Sequence, residues 1–317
     1  MRIARYEYEG SIRIGFFEDD FLISLADAVH LNGAKPSGSE RLDSPDLLDF
    51  LPPDGPSLRF VRSAYDAVRR LKASDRASLA IPCDQVRLLI PIARPNAIFL
   101  LAGNYAAHIE EGGKKAAARQ ETFPYVFVKP PTTLTNPGDA IQIPAVSPLS
   151  IDWECELGVI IGRRCKGVSE SEALSCVAGY TVVNDISDRK FRPNPNRTKR
   201  DNDQFFDWQH GKWHDTFCPV GPCVRSADSL PDPQSLTMEL RANGQVKQHA
   251  STSQMIFPVA AVIEFLSSFV TLEAGDIIST GTPSGVGAAT GTFLKNGDLL
   301  EAEIGGIGIL RNPVIGP

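Results

Sequence analysis

The chain is poor in the residues that build zinc sites and disulfide frameworks. Its six cysteines, Cys83, Cys155, Cys165, Cys176, Cys218 and Cys223, contain no Cys-x-x-Cys pair, which fits buried reduced thiols rather than a disulfide scaffold. It has only five histidines, His30, His108, His210, His214 and His249, and none forms a His-Glu-x-x-His pair. Soft or imidazole-rich metal sites therefore have no support, and carboxylates remain as the main ligand supply, which points to a hard ion such as Mg2+ or Mn2+. There is no long run of Lys or Arg, and the formal net charge is -6, so neither a nucleic acid nor an anionic membrane surface is an expected partner. No apolar stretch reaches the roughly 18 residues of a membrane span, and the opening Met1-Arg-Ile-Ala-Arg carries charge where a signal peptide needs apolar residues. These absences predict a soluble, cytoplasmic protein acting on a small molecule.

What is present is enough for a full core. With 317 residues, 42% hydrophobic and 22% charged, the chain is long enough for one large domain or two unequal ones. Short alternating bursts between Arg2 and Val29 predict small antiparallel strands. The stretches Asp43 to Leu51 and Ser63 to Ala73 read as helices separated by Pro52-Pro53-Asp54-Gly55-Pro56. A boundary near residue 80 divides a small N-terminal α+β domain, residues 1–80, from a larger one, residues 81–317. Strands are predicted at Ala97 to Ala102, Tyr125 to Lys129, Leu157 to Ile161, Gly179 to Asn184, Thr237 to Ala242 and Asp276 to Thr280, and one clear helix at Phe257 to Ser268. With no regular alternation of strand and long helix, the expected class is mixed α+β, predominantly β, with a roll of mixed sheets.

In Ile151-Asp-Trp-Glu-Cys-Glu-Leu-Gly-Val-Ile-Ile-Gly162 the two-residue period of a strand places Asp152, Glu154 and Glu156 on one face. Three acids beside an apolar run must take up protons or share a cation, unless the segment is a solvated edge strand. Asp185 ends the apolar strand Gly179 to Asn184. It reads either as a turn or helix cap, or as the third carboxylate of an oxygen site with open positions. His108 and Glu111 share a face if their segment is helical, giving an acid-base dyad or a surface ion pair. Lys212 is placed either to neutralise an oxyanion or to extend into solvent. The glycines of Thr280-Gly-Thr-Pro-Ser-Gly-Val-Gly287 permit close backbone approach to an anion, though this is no P-loop.

In this order, Asn104-Tyr-Ala-Ala-His-Ile-Glu-Glu111, Glu154-Cys-Glu-Leu157, Gly179-Tyr-Thr-Val-Val-Asn-Asp185, Gly211-Lys-Trp-His-Asp-Thr216 and Thr280-Gly-Thr-Pro-Ser-Gly-Val-Gly287 resemble the fumarylacetoacetate hydrolase family. Phe127-Val-Lys-Pro130, Asn243-Gly-Gln245 and Leu272-Glu-Ala-Gly-Asp276 add to the match, which covers roughly residues 95 to 312. The resemblance implies the fold of that family: a mixed β-sandwich roll with a smaller N-terminal domain, usually as a homodimer. It implies one Mg2+ or Mn2+ per subunit on Glu154, Glu156 and Asp185, chelating the carboxylate and 2-oxo group of an acylpyruvate-like 2-oxo acid. His108, oriented by Glu111, would activate water for attack on the distal carbonyl. C–C cleavage would leave an enolate on the metal, with Lys212 and Arg189 as oxyanion partners. Tyr105, Lys129 and Thr282 are candidate substrate contacts.

The resemblance departs at one place. Many relatives carry a Gln three residues after the arginine of Asn184-Asp-Ile-Ser-Asp-Arg189, and here that position is Arg192. The polar, aromatic-bearing stretch between Arg192 and Gly211 offers Gln204 or Gln209 as a replacement amide. The family also contains isomerases, decarboxylases and hydratases, and fold and metal site do not separate these from hydrolases. The His108–Glu111 pair favours hydrolysis of a 2,4-diketo acid, since attack on a carbonyl needs an activated water. The alternatives are one of those other family reactions, or a relative that binds metal and ligand without turnover.

Overall fold

The computed structural model describes residues 1–31 and 42–317. Among these residues the architecture is a large sheet stacked on a smaller one, with a separate two-stranded ladder of Ile151–Asp152 and Ser187–Asp188; the helix Leu58–Arg70 covers the outer face of the larger sheet, and Val259–Phe269 packs into the cluster shared with the smaller sheet. The larger sheet has twelve strands. Across its width run Ala80–Pro82, Phe21–Ser24, Ser11–Phe17, Arg2–Tyr8, Cys218–Ser226, Val177–Asn184, Cys155–Ile161, Ile277–Ser279, Ile98–Ala102 and Tyr125–Val128, with two short strands attached alongside. The smaller sheet has five strands, in the order Gln245–Ser251, Thr237–Ala242, Leu299–Ile304, Gly308–Ile315 and Ile141–Gln142. The fold is the expected mixed α+β type with strands dominant.

Alternation in Cys155–Ile161 shows how the layers are held. Leu157, Val159 and Ile161 enter the same apolar cluster as Met238, Leu240, Leu300, Ala302 and Ile304 of the smaller sheet. On the opposite face Ile160 joins Val183 and Val220 in a second cluster, which also takes Val61, Ala64 and Val68 from the helix Leu58–Arg70. A strand covered on both faces reads as a continuous apolar run, which is why Leu157 to Ile161 shows little alternation in sequence. The helix buries Leu58, Val61, Ala64 and Val68, a spacing of three and four residues that makes one stripe. Each fully buried valine there contributes about 1.5–3 kcal/mol of burial free energy.

Several element ends differ from the sequence reading. The helix expected at Ser63 to Ala73 starts at Leu58 and stops at Arg70, and the stretch expected as strands up to Val29 ends in a short helix, Leu25–Leu31. The expected helix at Asp43 to Leu51 is only the 3-10 turn Leu47–Phe50, with the Asp46 carboxylate accepting from the Leu48 amide at 3.0 Å; Pro45 and Pro52 on either side limit its growth. The strand Thr237–Ala242 lies where expected, and the helix predicted at Phe257 to Ser268 spans Val259–Phe269.

The N-terminal strands extend the large sheet. Arg2 pairs with Arg225 and Ile3 with Val224, while Ala80–Pro82 closes back onto Phe21–Ser24. Met1, Ile3, Phe16 and Ile23 lie in the same apolar cluster as Ile98, Leu100 and Val220, so the expected boundary near residue 80 falls within a shared sheet and a shared core. No described helix is long and apolar enough to cross a membrane.

Candidate functional site

The candidate centre sits where Cys155–Ile161 begins and Val177–Asn184 ends. These strands are antiparallel neighbours, with Cys155 opposite Asn184 and Glu156 opposite Val183. The ladder continues one step further, because the Asp185 amide donates to the Glu154 carbonyl at 2.9 Å. Directly opposed residues share a face, so Glu154 and Asp185 project together, with Glu156 two residues along on the same side. One carboxylate oxygen from each of the three lies within 4.8 Å of the others. All three are buried, with Glu156 and Asp185 at 0% exposure, and the strand carrying the glutamates is central in the sheet, which rules out the exposed edge-strand alternative.

Asp152 does not join them, contrary to the simple alternation. The strand pauses at Trp153, and the Asp152 carboxylate instead accepts from the amides of Trp153, Gly287 and Ala288 and from Arg189 Nε at 2.8 Å. It anchors Arg189, whose Nη2 lies 2.6 Å from Glu154 Oε1. On the other side Lys212 Nζ donates to Glu154 Oε2 at 2.8 Å, Asp185 Oδ2 at 2.5 Å and Ser187 Oγ at 2.8 Å. Lys129 Nζ lies 2.6 Å from Asp185 Oδ1 and is held by the carbonyls of Ile186 and Phe217.

This leaves Glu156 without a cation. Its Oε2 accepts from Ser279 Oγ at 2.5 Å and the Gly281 amide at 2.8 Å, while its buried Oε1 has no hydrogen-bond partner among the described residues. Burial, reinforced by the charges of Asp185 and Glu154, pushes its carboxyl well above the usual range. For Glu154 burial also opposes ionisation, but Lys212 and Arg189 override it and hold the carboxyl below the usual range. Lys212 is held above its ordinary value because Asp185 and Glu154 outweigh its burial. Four buried acids, Asp152 included, face three cations. An orphaned buried acceptor inside an all-oxygen donor set, with negative charge in excess, fits a hard divalent cation.

His108 lies on the short helix Ala106–Glu111, and its Nδ1 is 2.6 Å from Glu111 Oε1. A carboxylate only accepts, so Nδ1 carries the proton and Nε2 is left with its lone pair. Glu111 Oε2 accepts from the Gly285 amide at 2.8 Å, which ties the dyad to the Thr280–Gly287 loop. Gly285 has φ of +100°, a conformation that glycine adopts without strain. Gln248 fixes the same loop to the glutamate strand: its Oε1 accepts from the Cys155 amide at 2.9 Å, and its Nε2 donates to Thr282 Oγ1 and the Pro283 carbonyl, both at 2.8 Å.

A cavity of about 60 Å³ is lined by His108, Glu154, Arg189, Lys212 and Thr282 together with Leu101, Phe127 and Trp208. A larger groove of about 700 Å³ opens elsewhere, beside Arg2, Asp19 and Arg225. Arg2 is engaged by Asp19, Arg225 by backbone carbonyls, Arg311 by Glu301 and Arg69 lies over the Tyr65 ring, and the groove holds none of the convergent acids, so the small cavity is where chemistry is supported.

Other expected contacts are placed elsewhere. The Tyr105 hydroxyl is buried and donates to Met238 Sδ at 3.0 Å, in the core and away from the cavity. Lys129 lies behind Asp185 instead of lining the cavity. Gln204, exposed, and Gln209, half-buried, sit on the helix Asp203–His210 but do not line the cavity, and Arg192 is exposed. That helix delivers Trp208 instead. The sequence assigns no site role to Trp208, Phe127, Gln248 or Ser279 and no anchoring role to Asp152.

The match to known proteins agrees with this geometry. Residues 97–315 match the family model described as fumarylacetoacetate (FAA) hydrolase C-terminal. The chain is 40% identical over 252 residues to a 2,4-didehydro-3-deoxy-L-rhamnonate hydrolase of Sphingomonas sp. (strain SKA58), covering 78% of this chain and 84% of that one. It is 35% identical over 271 residues to a mitochondrial oxaloacetate tautomerase of Xenopus laevis, covering 85% and 78%. Among solved structures, maleylpyruvate hydrolase from Sphingobium sp. SYK-6, crystallised with manganese(II) and pyruvate, superposes with a TM-score of 0.71 at 28% identity, covering 100% of this chain and 99% of that one. A family match over this much of the length, joined to the buried acid cluster and the dyad beside it, shows that the chain belongs to the fumarylacetoacetate hydrolase family.

Proposed function

We propose that this protein is a divalent-metal-dependent hydrolase that cleaves a C–C bond in an acylpyruvate or other 2,4-dioxo acid. The observation that carries this reading is the His108–Glu111 pair, joined at 2.6 Å, with His108 lining the same cavity as Glu154, Arg189 and Lys212. Glu154, Glu156 and Asp185 would hold Mg2+ or Mn2+, which when bound supplies Lewis-acid polarisation of the 2-oxo group.

The remaining steps belong to the chain's own side chains. His108 Nε2 takes a proton from water as the water oxygen bonds to the C4 carbonyl carbon, and Glu111 stabilises the imidazolium. The C3–C4 bond then breaks, its electron pair passing to C3 as C4 leaves as a carboxylic acid. Arg189 and Lys212 stabilise the developing negative charge on oxygen. A proton returned to C3 completes pyruvate. Phe127 and Trp208 keep bulk water from the reacting atoms.

A second reading is tautomerisation of a 2-oxo acid, which the 35% identity to a protein named oxaloacetate tautomerase favours. It needs proton transfer but no water attack. Incubation with Mn2+ or Mg2+ and a panel of acylpyruvates, following the enol absorbance and the product masses in isotopically labelled water, tests both. Label in the released acid supports hydrolysis; loss of absorbance without cleavage supports tautomerisation.

A further inference from the structure

We propose that the site is selective for 2-oxo acids whose far end is uncharged, with Trp208 and Phe127 as the specificity-determining residues. The proposal rests on the cavity being the substrate site of the reaction assigned above. Each cation in the cavity wall already has a protein carboxylate. Arg189 lies 2.8 Å from Asp152 and 2.6 Å from Glu154, and Lys212 lies 2.8 Å from Glu154 and 2.5 Å from Asp185; the imidazole of His108 is neutral and bonded to Glu111.

The charge balance offers nothing to a second substrate carboxylate. Glu111 and the four buried acids face Arg189, Lys212 and Lys129, which leaves two negative units. A bound divalent ion would offset these two, and the carboxylate beside the 2-oxo group would have that ion as its partner. A second carboxylate would be buried with no partner, and an unpaired buried charge is strongly unfavourable.

Part of the cavity wall is apolar, formed by Leu101, Phe127 and Trp208. Phe127 and Trp208 meet edge to face, with ring centroids 4.9 Å apart at 69°. Lys212 Nζ lies 5.0 Å from the Phe127 ring and 5.7 Å from the Trp208 ring, so the rings also hold the ammonium at the acid end. The segment that supplies Trp208 brings two arginines, yet both are engaged within it: Arg197 with Asp203 at 2.9 Å and Asp207 at 2.5 Å, and Arg200 with Asp203 at 3.0 Å. No described residue lining the cavity supplies a further cation for a tail carboxylate.

The test uses two unreactive five-carbon probes, 2-oxopentanoate and 2-oxoglutarate, which differ only in a terminal methyl or carboxylate. Calorimetric titration into the Mn2+-loaded protein should show 2-oxopentanoate binding tighter by about tenfold or more. Trp208→Arg should cut or invert that ratio, while Trp208→Phe should keep it. Equal or tighter binding of 2-oxoglutarate by the unaltered protein would overturn the proposal, as would an unchanged ratio in a folded Trp208→Arg variant. Because the probes are not turned over, a failure of the hydrolase reading on acylpyruvates leaves this ratio measurable. Failure of 2-oxopentanoate to bind would overturn the substrate-site assignment and the proposal with it.

Discussion

The Asp185 amide donates to the Glu154 carbonyl at 2.9 Å, and this single backbone bond sets two acids from separate strands side by side. Replacing Glu156, whose Oε1 is buried without a partner, by Gln keeps the shape and removes one anionic ligand. Glu156→Gln should weaken Mn2+ binding by about 100-fold or more, read by titration with paramagnetic resonance detection, with the thermal transition of the metal-free protein little changed.

His108 and Glu111 predict a different signature. His108→Ala should leave Mn2+ affinity within about threefold while lowering hydrolysis by about 100- to 10,000-fold, the range of general-base contributions. Glu111→Gln should reduce the rate less and alter the pH profile of kcat/KM. Parallel loss of metal affinity and rate in His108→Ala would contradict the role assigned.

Gln248 joins the glutamate strand to the Thr280–Gly287 loop through three hydrogen bonds. Gln248→Leu leaves the Cys155 amide and the Pro283 carbonyl buried without partners, at a cost of about 1–3 kcal/mol for each group. The expected outcomes are a lower denaturation midpoint and a weakened rate; an unchanged midpoint would show that the tether contributes nothing.

Cys83 supplies a pH test away from the site. Burial, then the charges of Asp20, Asp19 and Asp84, pushes its thiol from 9.0 up to about 11. At pH 8 the native thiolate fraction should be about 100-fold below that of the unfolded chain, so alkylation by iodoacetamide should be correspondingly slow. Between the unfolded and folded values the native state keeps a proton that the unfolded chain loses. Stability from this group is therefore complete below pH 9 and declines as pH rises towards 11.

Much of the site was legible because strand chemistry is local. The two-residue period placed Glu154 and Glu156 on one face, and the break between apolar run and charge marked Asp185. Asp152 escaped that rule because the strand pauses at Trp153 and backbone amides of Gly287 and Ala288 capture its carboxylate. Tyr105 could not be read from its motif, since neighbours in sequence do not reveal that its hydroxyl meets Met238. Gln248 gave no local signal either: it lies in an ordinary polar strand, and its partners are 34 and 93 residues away. Gln204 and Gln209 were reasonable choices by polarity, but the helix Asp203–His210 turns Trp208 towards the cavity instead.

The pairing of Ile3 with Val224, and the apolar cluster containing Phe16, Ile160 and Val220, tie the leading segment to the remainder among the described residues, so the two are expected to melt together. Denaturant titration should show one transition, and a fragment beginning after Pro82 should aggregate through its uncovered sheet edge. For anyone building chimaeras from relatives, the front segment is not an interchangeable cap: its inward side chains have to mesh with a surface written more than two hundred residues downstream.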